Sequence, residues 1–254
     1  MSGQRFEPKE ENFCALFIVG TDTGVGKTLV CGLLLDFFRR QGRRAITQKW
    51  VQTGAADDLA EHDTRALPAV VPPAAQERRV CYRFALPASP HLAAAAERRK
   101  ISAIKIRRNF RELAADYETV IVEGSGGVLV PYNRTRYLIE IAASLHLPVL
   151  LVAENRVGAI NHTLLSVEAL RRRGLSLAGI LFTQCHPPQH DEEAALANNP
   201  VIVRALSGEP VLGVLEYSAD REVLRARSAA IFTRFCSRKG AGALRGIKCE
   251  RRIV

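Results

Sequence analysis

The segment Gly20–Thr28, with the sequence GTDTGVGKT, restricts the possible folds of this chain more than any other feature. It follows the phosphate-binding loop pattern G-x-x-x-x-G-K-[ST], with one residue more than the pattern between Gly20 and the Gly-Lys pair. The apolar run CALFIV precedes it, and an apolar helical stretch follows it. This context suits phosphate binding, because converging backbone N–H groups and a helix N-terminus both attract anions. The segment therefore predicts a P-loop in an α/β protein.

Residues within the loop have separate expected tasks. Lys27 is long enough to reach the β- and γ-phosphates of a nucleotide, and the Thr28 hydroxyl is a suitable magnesium ligand. We therefore expect ATP as co-substrate and Mg²⁺ as cofactor. The loop residues predicted to bind the nucleotide are Gly24, Val25, Gly26, Lys27, Thr28 and Leu29.

Apolar segments alternate with amphipathic segments along most of the chain. Predicted strands cover 14–19, 45–50, 119–122, 149–153, 177–182 and 211–215. Predicted helices cover 29–38, 106–117, 137–145, 161–173, 192–206 and 221–235. The segment 51–79 contains three prolines and is predicted to form loops with little regular structure. The alternation predicts a P-loop NTPase-type α/β fold, with a doubly wound, mainly parallel sheet and helices on both faces.

The length fits one domain over 13–235, with 1–12 and 236–254 expected to be flexible tails. No apolar run approaches the roughly 20 residues that span a bilayer, and the first residues lack an apolar signal-peptide core. We therefore expect a cytoplasmic protein with no membrane partner.

The formal net charge is +10, which raises the question of a nucleic-acid partner. The basic residues are spread over the polar faces and C-terminal ends of several predicted helices, where they also suit the helix dipole. This distribution favours a solvated basic surface that attracts anionic substrates, and a nucleic-acid partner is not expected.

Six cysteines are scattered through the sequence without a C-x-x-C pair, a pattern typical of reduced thiols. Cys185, His186 and His190 lie close enough together to suggest a metal site as an alternative. Two prolines interrupt this group, however, and a second ligand cluster is not evident in the sequence.

Acidic residues that complete a magnesium site are expected at the carboxyl ends of strands. Glu123 ends the apolar strand 119–122, so it should emerge at the ligand-binding edge of the sheet. Gly124 and Gly126 then permit close approach of a ligand. Lys49 follows the second strand and could stabilise charge on a transferring phosphoryl group.

Asp63 is a second candidate for magnesium, but spacing alone does not separate it from its acidic neighbours. Asp57, Asp58 and Glu61 lie in the same stretch, and a solvated acidic loop is the alternative interpretation. From the residues alone, the chain is a P-loop phosphoryl-transfer enzyme with an unidentified acceptor.

Several motifs resemble those of the dethiobiotin synthetases. They are the loop GTDTGVGKT, the segment KWVQTG at 49–54, the pair His62-Asp63, the box YRFALPASPHLAA at 82–94, the loop VEGSGG at 122–127, the strand LPVLLV at 147–152 and the loop GAINH at 158–162. The resemblance extends from Phe13 to Tyr217. A P-loop alone is common to many families, whereas this ordered set is specific.

This resemblance implies the conversion of ATP, carbon dioxide and 7,8-diaminopelargonic acid to dethiobiotin, ADP and phosphate, by a homodimer. Lys27 and Lys49 would be catalytic, bracketing a carbamate and the γ-phosphate, and Thr28, Asp63 and Glu123 would hold Mg²⁺. The remaining nucleotide-binding residues would be Gly124, Ser125, Gly126, Thr183 and Gln184. The substrate-binding residues would be Thr23 and Thr53, with Gly158, Ala159 and Asn161 supplied by the neighbouring subunit.

Three departures from the family pattern bear on these implications. Trp50 replaces the proline after the key lysine, which could shift Lys49. Thr183 stands where the family has an asparagine that contacts adenine, so the choice of base is open. The usual G-x-[IL]-P ends as GVLE at 213–216, which leaves the far side of the nucleotide pocket open.

Three alternatives remain open. A ParA/MinD-type dimerising ATPase has a second lysine early in its loop, where this chain has Asp22. An amidoligase acting on cobyrinic acid carries a further glutaminase domain, for which the chain is expected to be too short. A non-catalytic nucleotide-binding module would not need Lys27, Lys49 and Glu123.

Overall fold

A computed structural model describes residues 13–55, 57–187 and 192–237. The strands are β1 (Cys14–Gly20), β2 (Ala45–Thr53), β3 (Val80–Phe84), β4 (Thr119–Gly127), β5 (Val149–Glu154), β6 (Leu177–Thr183) and β7 (Val211–Leu215). The helices are α1 (Lys27–Arg40), α2 (Asp58–Arg65), α3 (Pro73–Arg79), α4 (Pro90–Ala96), α5 (Ala103–Asp116), α6 (Leu138–Ser144), α7 (Ala159–Arg171), α8 (Glu193–Ser207) and α9 (Arg221–Cys236).

All seven strands form one sheet in the order β3-β2-β4-β1-β5-β6-β7, and each neighbouring pair is parallel. Parallel strands place their carboxyl ends at one edge, so the loops after β1, β2 and β4 meet there. In the pairing of β4 with its two neighbours, Glu123 lies opposite both Ile18 and Lys49. The register therefore brings the predicted acidic residue and the predicted lysine side by side.

Side chains of β1 alternate between two hydrophobic cores, one on each face of the sheet. Leu16 and Ile18 pack in the core that includes residues of α1 and α9, such as Leu34 and Phe232. Phe17 belongs to the core on the opposite face, which is covered by helices α3 to α8. Burial on both faces accounts for the nearly continuous apolar strands, and the predicted fold class is confirmed.

The prediction of loops over 51–79 is wrong. Strand β2 extends to Thr53, and the segment also contains two short helices, α2 and α3. The side chain of Asp57 caps α2 by accepting the Ala60 N–H, and Pro73 begins α3 with a backbone angle already suited to a helix. Only Leu59 and His62 of α2 are buried, so apolar periodicity gave no signal for this helix. Strand β3 and helix α4 were not predicted either.

Most residues of the two predicted tails lie outside the described residues. Cys236, predicted to begin the C-terminal tail, is the last residue of α9 and is buried. Among the described residues, no helix is long and apolar enough to cross a membrane.

Two isoleucines on α5 test the orientation of this helix. Ile106 is fully buried, whereas Ile104 is 73% exposed. We expect Ile106→Ala to lower the free energy of unfolding by about 2–5 kcal/mol, because it removes buried methyl groups and leaves a cavity. Ile104→Ala should change it by less than about 0.5 kcal/mol. Urea unfolding followed by circular dichroism measures both; equal effects would contradict the assigned face.

Candidate active site

A cleft of about 640 Å³ opens at the carboxyl ends of β1, β2 and β4. Its walls come from the P-loop, the end of β2, the start of α2, the loop before α4 and the end of β4. The lining residues are Thr23, Gly24, Gly26, Lys27, Thr28, Leu29, Lys49, Val51, Gln52, Thr53, Asp58, Glu61, Pro87, Ala88, Ser89, Pro90, Glu123, Ser125, Gly126 and Val130. The P-loop thus shares one cleft with Ser89 and Pro90, which belong to the box at 82–94 and lie far from the P-loop in sequence.

Glu123 forms side-chain hydrogen bonds with three other residues at this cleft. Its Oε1 accepts hydrogen bonds from the Thr28 hydroxyl at 3.0 Å and from Lys49 Nζ at 2.7 Å. Its Oε2 lies 2.8 Å from Nε2 of His62. Burial by itself would raise the pKa of Glu123, but the charge of Lys49 and the contact with His62 outweigh it and lower the pKa to about 2. Glu123 is therefore a carboxylate throughout the physiological range.

Lys49 contacts two carboxylates of the cleft, those of Asp58 and Glu123. Its Nζ lies 2.7 Å from Asp58 Oδ2 as well as 2.7 Å from Glu123 Oε1, and it donates to the Gly124 carbonyl at 3.1 Å. Burial alone would lower the pKa of Lys49, yet the two carboxylates more than compensate and raise it. Lys49 is therefore a firmly protonated cation inside the cleft.

Lys27 folds back onto its own loop. Its Nζ donates to the Asp22 carbonyl at 2.8 Å, and the residue is buried. Burial and repulsion from Lys49 lower the pKa of Lys27 to about 8. A Cβ at Gly20 would lie 2.7 Å from the Asp22 carbonyl oxygen and 2.9 Å from Lys27 Nζ, so this turn of the loop requires glycine. The cleft thus holds two lysine ammonium groups with neutralising carboxylates mainly around one of them.

Asp63 is not among the residues that line the cleft, and its predicted place in the magnesium site stays a prediction. Its carboxylate pairs with Arg79 at 2.6 Å and with Arg39 at 3.8 Å. Asp58, one of the neighbours that spacing could not separate from it, lines the cleft and contacts Lys49 instead. The reason is helical geometry: Asp58 and Asp63 are five residues apart on α2, so they point in different directions.

Thr183 lies beneath the P-loop. It is fully buried, and its hydroxyl donates to the Val25 carbonyl at 2.8 Å, which supports the loop. Gln184 is half-buried, and its side-chain oxygen accepts the Tyr217 N–H at 3.3 Å. The assignment of Thr183 and Gln184 to nucleotide binding stays a prediction.

Trp50 does not displace Lys49. The indole is fully buried, stacks on Phe17 with ring centroids 4.9 Å apart, and donates from Nε1 to Gln48 at 3.0 Å. Successive residues of a strand point to opposite faces, so the large ring enters the sheet core while Lys49 faces the cleft. The substitution for proline is absorbed by the core.

The other predicted residues fall into three groups. Thr23, Thr53, Ser125 and Gly126 line the cleft. Gly158, Ala159 and Asn161 lie at the beginning of α7 and do not line it. Val25 and Gly124 are buried next to it: the Val25 carbonyl bonds to Thr183, and the Gly124 carbonyl bonds to Lys49.

Residues missed from the sequence as members of the cleft include Asp58 and Gln52, and His62 touches it through Glu123. The polar character of α2 was the available signal, since four acidic residues and a histidine over 57–63 are unusual unless some face partners. The alternative metal group Cys185–His186–His190 is not tested, because His190 lies outside the described residues.

The donor atoms of the cleft fit a magnesium ion. Thr28 Oγ1 and Glu123 Oε1 lie 3.0 Å apart, and the carboxylate of Asp58 faces the same space across Lys49. These are hard oxygen ligands of the kind Mg²⁺ takes beside nucleotide phosphates.

Comparison with known proteins identifies the family to which the chain belongs. A family model described as an AAA domain matches residues 14–222. The ATP-dependent dethiobiotin synthetase of Anaeromyxobacter sp. (strain K) is 39% identical over 217 residues, covering 84% of this chain and 94% of the relative. That of Chlorobaculum tepidum is 41% identical over 196 residues, covering 75% and 80%.

Solved structures show a likeness of fold alone. A ParA family ATPase from Chlorobium tepidum has a TM-score of 0.52 at 8% identity, covering 91% of this chain and 96% of that one. The MinC:MinD cell division protein complex of Aquifex aeolicus gives 0.50 at 13% identity, covering 85% and 86%. On the strength of the family match and of relatives aligned over most of their length, this chain belongs to the AAA-domain family and to the ATP-dependent dethiobiotin synthetases.

Proposed function

We propose that this chain uses ATP to carboxylate 7,8-diaminopelargonic acid and close its ureido ring, forming dethiobiotin for biotin synthesis. The observation that carries the proposal is the cleft, in which the P-loop, Lys49 and Glu123 lie beside Ser89 and Pro90 of the box at 82–94. A P-loop accounts for ATP, and the remaining wall provides room for a second, acyclic substrate next to the γ-phosphate.

The proposed reaction has three steps. One amine of the substrate adds to CO₂ and loses a proton, giving a carbamate. A carbamate oxygen attacks the γ-phosphorus, the bond to the bridging oxygen breaks, and ADP leaves. The second amine then attacks the carbonyl carbon, and the release of phosphate closes the ring.

The two lysines are suited to the anionic centre of this reaction. Carbamate and γ-phosphate both carry negative charge, and a buried ammonium stabilises such charge far more than water does. Lys49 is protonated and fixed by two carboxylates, and Lys27 donates to a backbone carbonyl that a phosphate oxygen can replace. Thr23 and Thr53, on the cleft wall, would contact the substrate.

We place Mg²⁺ with Thr28, Asp58 and Glu123, either directly or through water. When bound, the ion would neutralise charge on the β- and γ-phosphates. Asp58 takes the place proposed from sequence for Asp63, because its carboxylate is the one at the cleft.

A second copy of the chain would complete the substrate site. Gly158, Ala159 and Asn161 lie away from the cleft of their own chain, and Asn161 is exposed. Val157 and Leu165, at the start and in the middle of the same segment, are 63% and 57% exposed, which is typical of a surface that another subunit covers. These residues would bind the carboxylate of the substrate held by the neighbouring subunit.

The ParA/MinD interpretation is less well supported. The likeness to those structures is one of fold, and Asp22 occupies the place of the second lysine of their loop. An acidic side chain there gives no positive charge to a nucleotide in another subunit.

Phosphate release from ATP by the purified chain tests the reaction. With Mg²⁺ and bicarbonate present, release should require the diamine, and the product should have the mass of dethiobiotin. Phosphate release at the same rate with and without the diamine would favour a switch ATPase. No phosphate release from ATP, CTP or GTP would favour a non-catalytic module.

The two aspartates of α2 should behave differently. We expect Asp58→Asn to raise the Mg²⁺ concentration for half-maximal activity by at least about tenfold, because it removes a charge from the metal site. Asp63→Asn should leave the Mg²⁺ dependence unchanged and lower the free energy of unfolding by about 1–2 kcal/mol, since buried Arg79 loses a half-exposed partner. Metal titration of activity and urea unfolding decide; the reverse pattern would return Asp63 to the site.

Lys49→Ala should reduce kcat by about 100- to 1000-fold while ATP affinity changes little, because the ammonium acts on charge that develops during transfer. Single-turnover kinetics and equilibrium ATP binding separate the two effects. Lys100→Ala, at an exposed lysine outside the cleft, is the matched control and should behave as wild type. A Lys49 variant with normal turnover would rule out the assigned role.

A further inference from the structure

Helix α2 brings a second residue to the magnesium site besides Asp58. His62 lies four positions after Asp58, so the two side chains share one face of the helix. His62 is fully buried, and it does not line the cleft. It reaches the site only through Glu123, on the strand β4.

The direction of the contact follows from the state of Glu123. A carboxylate can only accept hydrogen bonds, so Nε2 of His62 must be the donor to Oε2 at 2.8 Å. The other ring nitrogen, Nδ1, is buried and has no hydrogen-bond partner among the residues that the structure describes. Among the described residues, the imidazole ring therefore has a single hydrogen-bond partner, which is Glu123.

The contacts divide the two oxygens of Glu123 between two tasks. Oε1 receives Thr28 and Lys49 and faces the cleft. Oε2 is held by His62 on the side away from it. The hydrogen bond from His62 restrains rotation of the carboxylate, which keeps Oε1 directed at the cleft.

Helix α2 packs closely against its neighbours, and this packing holds His62 in contact with Glu123. A Cβ at Gly32 of α1 would lie 2.9 Å from Arg65 Cδ and 3.3 Å from His62 Cα, so α2 approaches α1 where glycine leaves space. On its other side, Asp63 binds Arg79, whose buried guanidinium also donates to the Thr47 carbonyl. The position of His62 is thus fixed from both sides of α2.

A metal held by His62 itself is the competing interpretation. Ligand atoms of Cys31, His62 and Glu123 all lie within 4.8 Å of one another. Burial raises the pKa of the Cys31 thiol well above its ordinary value, so a metal bound there would first have to displace a proton from this buried thiol. In addition, Nε2 of His62 is already committed to Glu123.

We propose that His62 is a positioning residue that holds Glu123 so that Oε1 points at the magnesium of the bound nucleotide. The inference rests on the proposed use of magnesium–ATP and assigns no direct contact between His62 and any substrate. Hydrogen-bond donors to metal-binding carboxylates act in this way, by restricting the orientation of the ligand.

The test compares the affinity for β,γ-methylene-ATP with Mg²⁺ and with EDTA, in the full chain, by titration calorimetry. The ratio of the two affinities reports the gain due to the metal and needs neither the diamine nor turnover. We expect His62→Leu to reduce this gain by about 10- to 100-fold and to leave the affinity in EDTA unchanged. His62→Gln should restore most of the gain, since its amide nitrogen reaches as far as Nε2.

Cys31→Ala is the control for disturbance of the core, because Cys31 is buried next to His62 but does not hydrogen-bond to Glu123. It should keep the wild-type gain. If His62→Leu does not fold, His62→Asn replaces it, since this shorter amide stays polar and falls short of Glu123.

Three outcomes would overturn the inference: a His62→Leu variant with the full metal-dependent gain, a Cys31→Ala variant as impaired as His62→Leu, or no rescue by glutamine. A wild-type protein without any gain would overturn the magnesium proposal as well. None of these four results bears on diamine-dependent phosphate release, which tests the proposed reaction separately.

Discussion

A carboxylate sealed inside a protein must be surrounded by donors, and Glu123 imposes this requirement on the whole site. The residue is 1% exposed and charged, so loss of Lys49 would leave a buried carboxylate without its cation, and loss of either other partner would leave it with one hydrogen bond fewer. Its partners come from three elements: Thr28 from α1, Lys49 from β2 and His62 from α2. The hydrogen bonds of the Glu123 carboxylate therefore link β2, β4 and the two helices.

The charges of the cleft are suited to binding a polyanion. Lys49 has two carboxylates within 2.7 Å, whereas Lys27 has only the Asp22 carbonyl as a close partner. Repulsion between the lysines and burial together depress the pKa of Lys27 to about 8. A nucleotide phosphate would relieve this repulsion and replace a weak backbone contact with a strong one. The site is thus preorganised, with its least satisfied cation at the place of the expected phosphate.

The ParA family ATPase and the MinC:MinD complex share the fold with this chain, at 8% and 13% identity. In this chain, residues of α2 and of the loop before α4 line the cleft together with the P-loop. Function is decided by such side chains rather than by the scaffold. Trp50, next to Lys49 in β2, is buried in the core, stacked on Phe17, and is not among the residues that line the cleft.

The sequence alone predicted a parallel sheet, apart from β3, and a P-loop, and it placed Lys27, Thr28, Lys49 and Glu123 near one another, because apolar periodicity and the glycine pattern are local signals. It also showed the family resemblance, since the motifs occur in order. It did not separate Asp58 from Asp63 or identify His62 as a partner of Glu123. Those choices depend on how α2 packs against α1 and Arg79, contacts between residues distant in sequence. Thr183 is the same case: only the tertiary structure shows its hydroxyl beneath the P-loop, bound to Val25.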